Sequence, residues 1–249
     1  MGLRYRNTPL VEAVFEFVPA SATLTKDGVD RLRARFAQDY PKPDALAGVE
    51  VQLKLDPTGP SALPTGKQRV RYRLWNAAKS RLLQFAEDMC AFNALAPYSH
   101  YEEYLPDIKQ FFDAYALECK ATDLRHLGQR YVNRIFLPSE EAAAEEYFTL
   151  YPSLPRGVIP IARHPQVLLQ VGTQQLSRGQ VTISLRYAGK DGLRPVYFLD
   201  LYAHWTDNLK SDFSWTSVKT WQDEAHEAVK CAFEAAITEL CRKLLGREE

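Results

Sequence analysis

The residues whose types and spacing could do chemistry are few, and the clearest group is basic. Lys67, Arg69, Arg71, Arg73 and Trp75 alternate with Val70, Tyr72 and Leu74. A period of two places the four cations and the tryptophan on one face of a strand. Cations beside an aromatic ring suit a phosphate backbone or a stacked base. The competing reading is a solvated sheet face neutralised by Glu50 and Asp56 next to Lys54. A second group is formal: Pro106-Asp107 followed by Glu118-Cys119-Lys120 spells a PD…ExK nuclease signature. Both pieces fall on one helical pattern, which sets the carboxylates roughly 16 Å apart along the axis, too far to share a metal. His100, His126, His164, His204 and His226 show neither HxxxH nor HxH spacing, so scattered polar histidines are the favoured reading, with a zinc site built from distant residues the alternative. GxSxG, GxxxxGK[ST] and GxGxxG are absent. Cofactor and catalytic residues are therefore expected to be none, and a hydrolase assembled from distant residues is the least favoured reading.

The elements that must position these residues follow from hydrophobic periodicity. In 9–18, Val11, Ala13, Phe15 and Phe17 share one face, with Glu12, Val14 and Glu16 on the other, which predicts a half-buried strand. Residues 25–40 predict a helix capped by Thr25 with Val29, Leu32 and Phe36 inward. Strands are predicted over 49–55 and 68–75, with a turn-rich loop over 56–66 between them. Residues 80–95 predict one bent strand or two short ones, and 100–118 a strong helix. The order then recurs: a long strand at 122–137, a helix from Ser139 to about Phe148, strands near 158–176, 180–188 and 195–204, a loop over 206–216, and a long final helix over 217–245 stopped by Gly246. In that last loop, Phe213 and Trp215 fit a partner-binding anchor and an inward fold over the sheet equally well.

This repeat predicts an α+β fold in which residues 1–121 and 122–249 form two strand–helix–strands–helix halves packed as one pseudo-symmetric unit. The halves would share one antiparallel sheet with helices on one face. The element order resembles the saddle of the TATA-binding protein, and that resemblance implies that the opening strands meet at the middle, 9–18 against about 128–137. Glu12 and Glu16 would then face Arg130 and Arg134 on the open side, and Asn133 would be buried and need partners for its amide. One reading of this quartet is that Glu12, Glu16 and Asn133 fix the register between the halves. The other is that Arg130 and Arg134 hold an anionic ligand.

Composition limits the partners. The chain has 249 residues, with acidic and basic residues balanced at 31 each, which argues against a strongly electrostatic partner such as duplex DNA or an anionic membrane. The N-terminal segment has no signal-peptide layout and no stretch reads as a membrane span, so the expected location is cytoplasmic. Cys90, Cys119, Cys231 and Cys241 form no CxxC and no disulfide framework.

PLVEAVFEF near the start, LGQRYVNRIFLP at the centre, and the segment of Phe233, Ile237, Thr238 and Glu239 near the end resemble the motifs of a sporadically distributed, uncharacterised bacterial family of about this length. The resemblance spans nearly the whole chain and implies no activity. Where the family usually carries Leu-His, this chain has Glu224-Ala225-His226. The patchy distribution implies a mobile or defence-associated gene. The resemblance to the saddle of the TATA-binding protein is a likeness of architecture that does not carry DNA binding with it. The favoured expectation is a non-enzymatic binding or regulatory module. Its partner would be a protein, either a neighbouring gene product or a second copy of the chain. Nucleic acid bound on the basic strand is the alternative.

Overall fold

The computed structural model describes residues 5–56, 59–151, 164, 168–173 and 176–247; at 49–56, 59–69, 168, 173 and 207–212 it describes the backbone alone. Strand β1 (Leu10–Pro19) leads into α1 (Lys26–Phe36). The Thr25 side chain accepts from Gly28 N and caps α1, whose Val29, Leu32 and Phe36 are buried. Four strands follow: β2 (Lys42–Asp56), β3 (Gly59–Trp75), β4 (Arg81–Ala86) and β5 (Met89–Leu95). Helix α2 (Tyr101–Cys119) closes the first half and buries Tyr101, Tyr104, Ile108, Phe111, Phe112 and Tyr115. The second half runs β6 (Asp123–Phe136), α3 (Ala144–Tyr147), β7 (Leu168–Thr173), β8 (Gln180–Asp191), β9 (Arg194–Asp212), α4 (Trp215–Ala236) and α5 (Glu239–Leu244).

The described strands form one antiparallel sheet in the order β2-β3-β4-β5-β1-β6-β9-β8-β7. Strands β1 and β6 are neighbours near the centre of the sheet, with β5 beside β1 and β9 beside β6. The helices lie mainly on one side, with α2 packed on β5 and α4 on β6, β8 and β9. The predicted α+β class and the one-sided helical layer are what the structure shows. The core face of β1 carries Ala13, Phe15 and Phe17, all fully buried, and burying each phenylalanine contributes about 1.5–3 kcal/mol. Phe15 stacks on Tyr101 of α2, and Phe17 packs edge-on against Phe112. Across the midline, Leu127, Tyr131 and Ile135 of β6 continue the same core.

Several boundaries differ from the sequence reading. The ladder between β2 and β3 takes in residues 59–64 of the stretch expected as a turn-rich loop, pairing Val51 with Pro64 and Leu55 with Pro60. Within β3 only Tyr72–Trp75 pair with β4. Pro60 and Pro64 thus lie where a missing N–H breaks no second ladder. Strand β9 likewise extends through residues assigned to a loop, with Leu124 opposite Ser211 and Asp123 opposite Asp212. The helix expected from Ser139 is reduced to α3, whose N-cap is Ala143 without a side-chain hydrogen bond. Residues 158–163, expected as a strand, lie outside the described residues. The single final helix is two: α4 ends before Ile237, and Thr238 caps α5. Phe213 turns inward, stacked on Phe112 at 4.5 Å, with Trp215 5.9 Å from the same ring. That removes the anchor reading for Phe213.

Candidate functional site: the uncovered sheet face

The core side of the sheet takes Phe15, Phe17, Tyr131 and Leu199, and the described helices lie mainly on that side; the alternate residues point to the other side, where Val18, Met89 and Ala91 form a small buried cluster. Across the midline this face reads Glu12, Val14 and Glu16 on β1, then His126, Gly128, Arg130, Val132 and Arg134 on β6. On β9 it continues with Phe198, Asp200, Tyr202 and His204. The predicted face assignments for Glu12, Glu16, Arg130, Arg134 and Asn133 hold. Asn133 is buried, and its Nδ2 donates to Leu199 O at 3.2 Å and to Tyr131 O at 3.5 Å.

The opening strands β1 and β6 pair antiparallel as expected, but the predicted opposition of glutamates and arginines does not form. Strand β1 pairs with residues 124–133 rather than 128–137, so Glu12 faces Val132 and Glu16 faces Gly128. Arg130, opposite Val14, turns to β9 and makes a bidentate pair with Asp200, with Nε 2.8 and 2.9 Å from the two carboxylate oxygens. A planar fork meeting a carboxylate edge-on is the strongest arrangement open to arginine here. Arg134 has Asp191 3.8 Å away. The glutamates have other partners. Asn93 Nδ2 on β5 donates to Glu12 Oε1 at 2.7 Å and its Oδ1 accepts from Gln84 Nε2 at 2.8 Å.

Glu16 belongs to a polar network that spans β1, β6, β9 and β8. Tyr202 Oη donates to Glu16 Oε2 at 3.3 Å, and His126 Nε2 lies 2.8 Å from the same hydroxyl. With Tyr202 donating to Glu16, the phenol oxygen accepts from His126 Nε2–H. His126 Nδ1 is then left to accept from Thr206 Oγ1 at 2.8 Å. His126 Nε2 also stands 3.6 Å from Glu16 Oε2. The imidazole holds the Glu16 carboxyl below its ordinary value; burial opposes this, and the Tyr202 hydroxyl adds to the lowering. Burial, then the Glu16 charge, pushes the Tyr202 phenol up. His204 stacks on Tyr202 at 5.0 Å, reaches Thr182 Oγ1 at 3.2 Å, and is lowered by burial and by His126. The network is a fixed polar surface, and among the described residues no three His, Cys, Asp or Glu side chains gather as metal ligands.

The basic strand is partly used up. Arg73 pairs with Asp44 on β2 and lies 5.9 Å from the Trp75 ring centre. Arg71 is exposed. The Lys67 and Arg69 side chains, with those of Glu50, Lys54 and Asp56, lie outside the described residues. The nuclease-like residues are apart: Asp107 pairs with Arg81, and Glu118 with Arg31 at 2.7 Å. Cys90, Cys119 and Cys241 are buried free thiols and Cys231 is exposed. Burial pushes the Cys241 thiol up to about 12. No described helix is long and apolar enough to cross a membrane.

Sequence reasoning missed Asp200, Tyr202, Phe198, Arg186 and Arg194. The alternation of 195–204 carries a readable signal for Phe198, Asp200, Tyr202 and His204 sharing a face, but their partners depend on a register that no local pattern encodes. No protein-family model matches the chain, and no curated protein matches it in sequence.

Proposed function

We propose that the chain is a non-enzymatic binding module that engages a protein partner through the uncovered sheet face. The partner is a neighbouring gene product or a second copy of the chain. The Arg130–Asp200 pair carries this reading. The most central cation of the face is matched within the chain by a bidentate carboxylate, so the surface offers mixed, charge-balanced polar groups rather than a cationic track. Half-exposed Val14 and Val132 supply apolar ground between them.

A second reading, nucleic acid held by the basic strand, is favoured by exposed Arg71 next to the Arg73–Trp75 contact. It ranks lower because Asp44 already engages Arg73.

Co-expression with the products of adjacent genes, and a separate measurement of self-association, test the first reading. Val132→Glu on the face is expected to break the complex, whereas Lys109→Glu on the exposed side of α2 leaves it intact. The opposite pattern overturns the proposal. Salt-sensitive retention on single-stranded nucleic acid that is lost in Arg71→Glu would move the second reading ahead.

A further inference from the structure

At the end of the uncovered face remote from the basic strand, three arginines surround two phenylalanines. Arg134 of β6, Phe198 of β9 and Arg186 of β8 lie in one row across the sheet. The Arg186 guanidinium is 5.1 Å from the Phe198 ring centre. Arg134 lies 4.5 Å and Arg194 4.8 Å from the centre of Phe136. All three arginines are exposed. Asp191, 3.8 Å from Arg134, is the one carboxylate within ion-pair distance of the three among the described residues. Lys190 next door is engaged by Glu140, and Arg130 by Asp200. This end is therefore locally cationic on a chain of zero net charge.

We propose that this row is the part of the face that reads the partner, and that it takes an acidic segment of a protein through carboxylate–guanidinium pairs; the inference rests on the binding-module reading above. A guanidinium stacked on a ring uses its flat face and leaves its N–H edge free for a bidentate carboxylate. The ring also holds the guanidinium in place, so less side-chain freedom is lost on binding. Arg134 and Arg186 are two strands apart, about 10 Å at the usual strand spacing. An extended segment presents same-side residues at about 7 and 13 Å intervals, within reach of both for Asp or Glu side chains. The same geometry disfavours a nucleic-acid strand. The rings on which bases would stack already carry arginines, and Asp191 and Asp200 set fixed negative charges beside any continuous phosphate track.

The test uses the full chain and a fluorescein-labelled peptide of alternating Glu and Ser, followed by anisotropy at low salt. Binding is expected to weaken as salt rises through the range where the screening length falls to about 10 Å. The triple variant Arg134→Gln/Arg186→Gln/Arg194→Gln should weaken it by roughly tenfold or more, as loss of charge partners does. Arg71→Gln/Arg73→Gln should leave it within about twofold, since those sites lie at the other end of the face. Arg186→Gln alone, which leaves the other two arginines in place, should weaken binding by roughly threefold and serves if the triple variant loses its native circular dichroism. No peptide binding at low salt, or equal binding by wild type and Arg186→Gln, overturns the proposal. So does an oligothymidylate of matched charge that binds more tightly through the same arginines. If the peptide fails while Val132→Glu still breaks the co-purified complex, the acidic chemistry falls and the binding face stands. If Val132→Glu has no effect, the face reading itself falls.

Discussion

The phenol of Tyr202 lies over Gly128, so that a Cβ at position 128 would fall 2.8 Å from Tyr202 Oη and 2.9 Å from its Cε2. Glycine at this midline position lets a β9 side chain cross β6 and reach Glu16 on β1. Gly128→Ala should push Tyr202 outward, break its contacts with Glu16 and His126, and cost about 1–3 kcal/mol in urea unfolding. In a Tyr202→Leu background the same change should cost less, with a coupling of roughly 0.5–3 kcal/mol. Additive costs would mean that the crossing phenol is not what position 128 accommodates.

Phe213 distinguishes an inward ring from a free anchor. It is 8% exposed and stacks on Phe112 with the planes 15° apart. Phe112 in turn meets Phe17 of β1 at 5.1 Å. Phe213→Ala should therefore destabilise the fold by about 3–5 kcal/mol. An unchanged unfolding midpoint would place the ring outside the core.

His226 joins α4 to α2 and β6 on the helical side and makes stability depend on pH. Its ring stacks on Tyr101 of α2 at 4.3 Å, and its Nδ1 lies 2.9 Å from Tyr131 Oη on β6. Burial first, then Lys230, lowers its pKa below the ordinary 6.5, while Glu227, Glu102 and Asp223 oppose that. The folded state thus disfavours protonation, and the unfolded chain binds the proton more readily. The stability contributed is complete above the ordinary histidine value and is lost as pH falls from 6.5 through the lowered folded value. The thermal midpoint should drop between pH 7 and 5. His226→Gln should lower the midpoint at pH 7 and flatten this slope. A residual slope is expected from His204, which is lowered in the same direction. A wild-type midpoint that stays level over this range would contradict the burial argument.

What was legible in the chain and what was not divides along local and non-local physics. The alternation of Ala13, Phe15 and Phe17 against Glu12, Val14 and Glu16 identifies a strand with one buried side, and the Tyr101–Tyr115 stripe identifies the helix that covers it. Neither pattern carries the sheet order; the meeting of the opening strands at the midline follows instead from the resemblance of the element order to a saddle. Pro60, Pro64 and the 206–212 stretch carry turn chemistry. Their strand state comes from ladders at positions where a proline or a polar residue costs little. The contact between His126 and Tyr202 spans 76 residues, and Arg130's choice of Asp200 over the glutamates depends on a register shifted by about two residues from the expected one. Ile237-Thr238-Glu239 holds a start signal, a capping threonine before an acidic residue, inside a stripe that reads as one continuous helix.

That junction yields a final prediction. Thr238 Oγ1 accepts from Cys241 N at 3.3 Å, which caps α5, and donates to Glu146 O at 2.5 Å. The backbone reinforces the join: Thr238 N donates to Tyr147 O at 3.0 Å, and Ile237 bridges Phe148. One hydroxyl therefore starts a helix and ties the segment after β6 to the end of α4. Thr238→Ala should cost about 1–2 kcal/mol, the upper part of the range for an N-cap, because a second partner is lost as well. Thr238→Ser keeps the hydroxyl and should recover most of that. Equal losses for Ala and Ser in urea unfolding would assign the effect to the methyl group instead, and the junction would then be held by packing around Ile237 rather than by the cap.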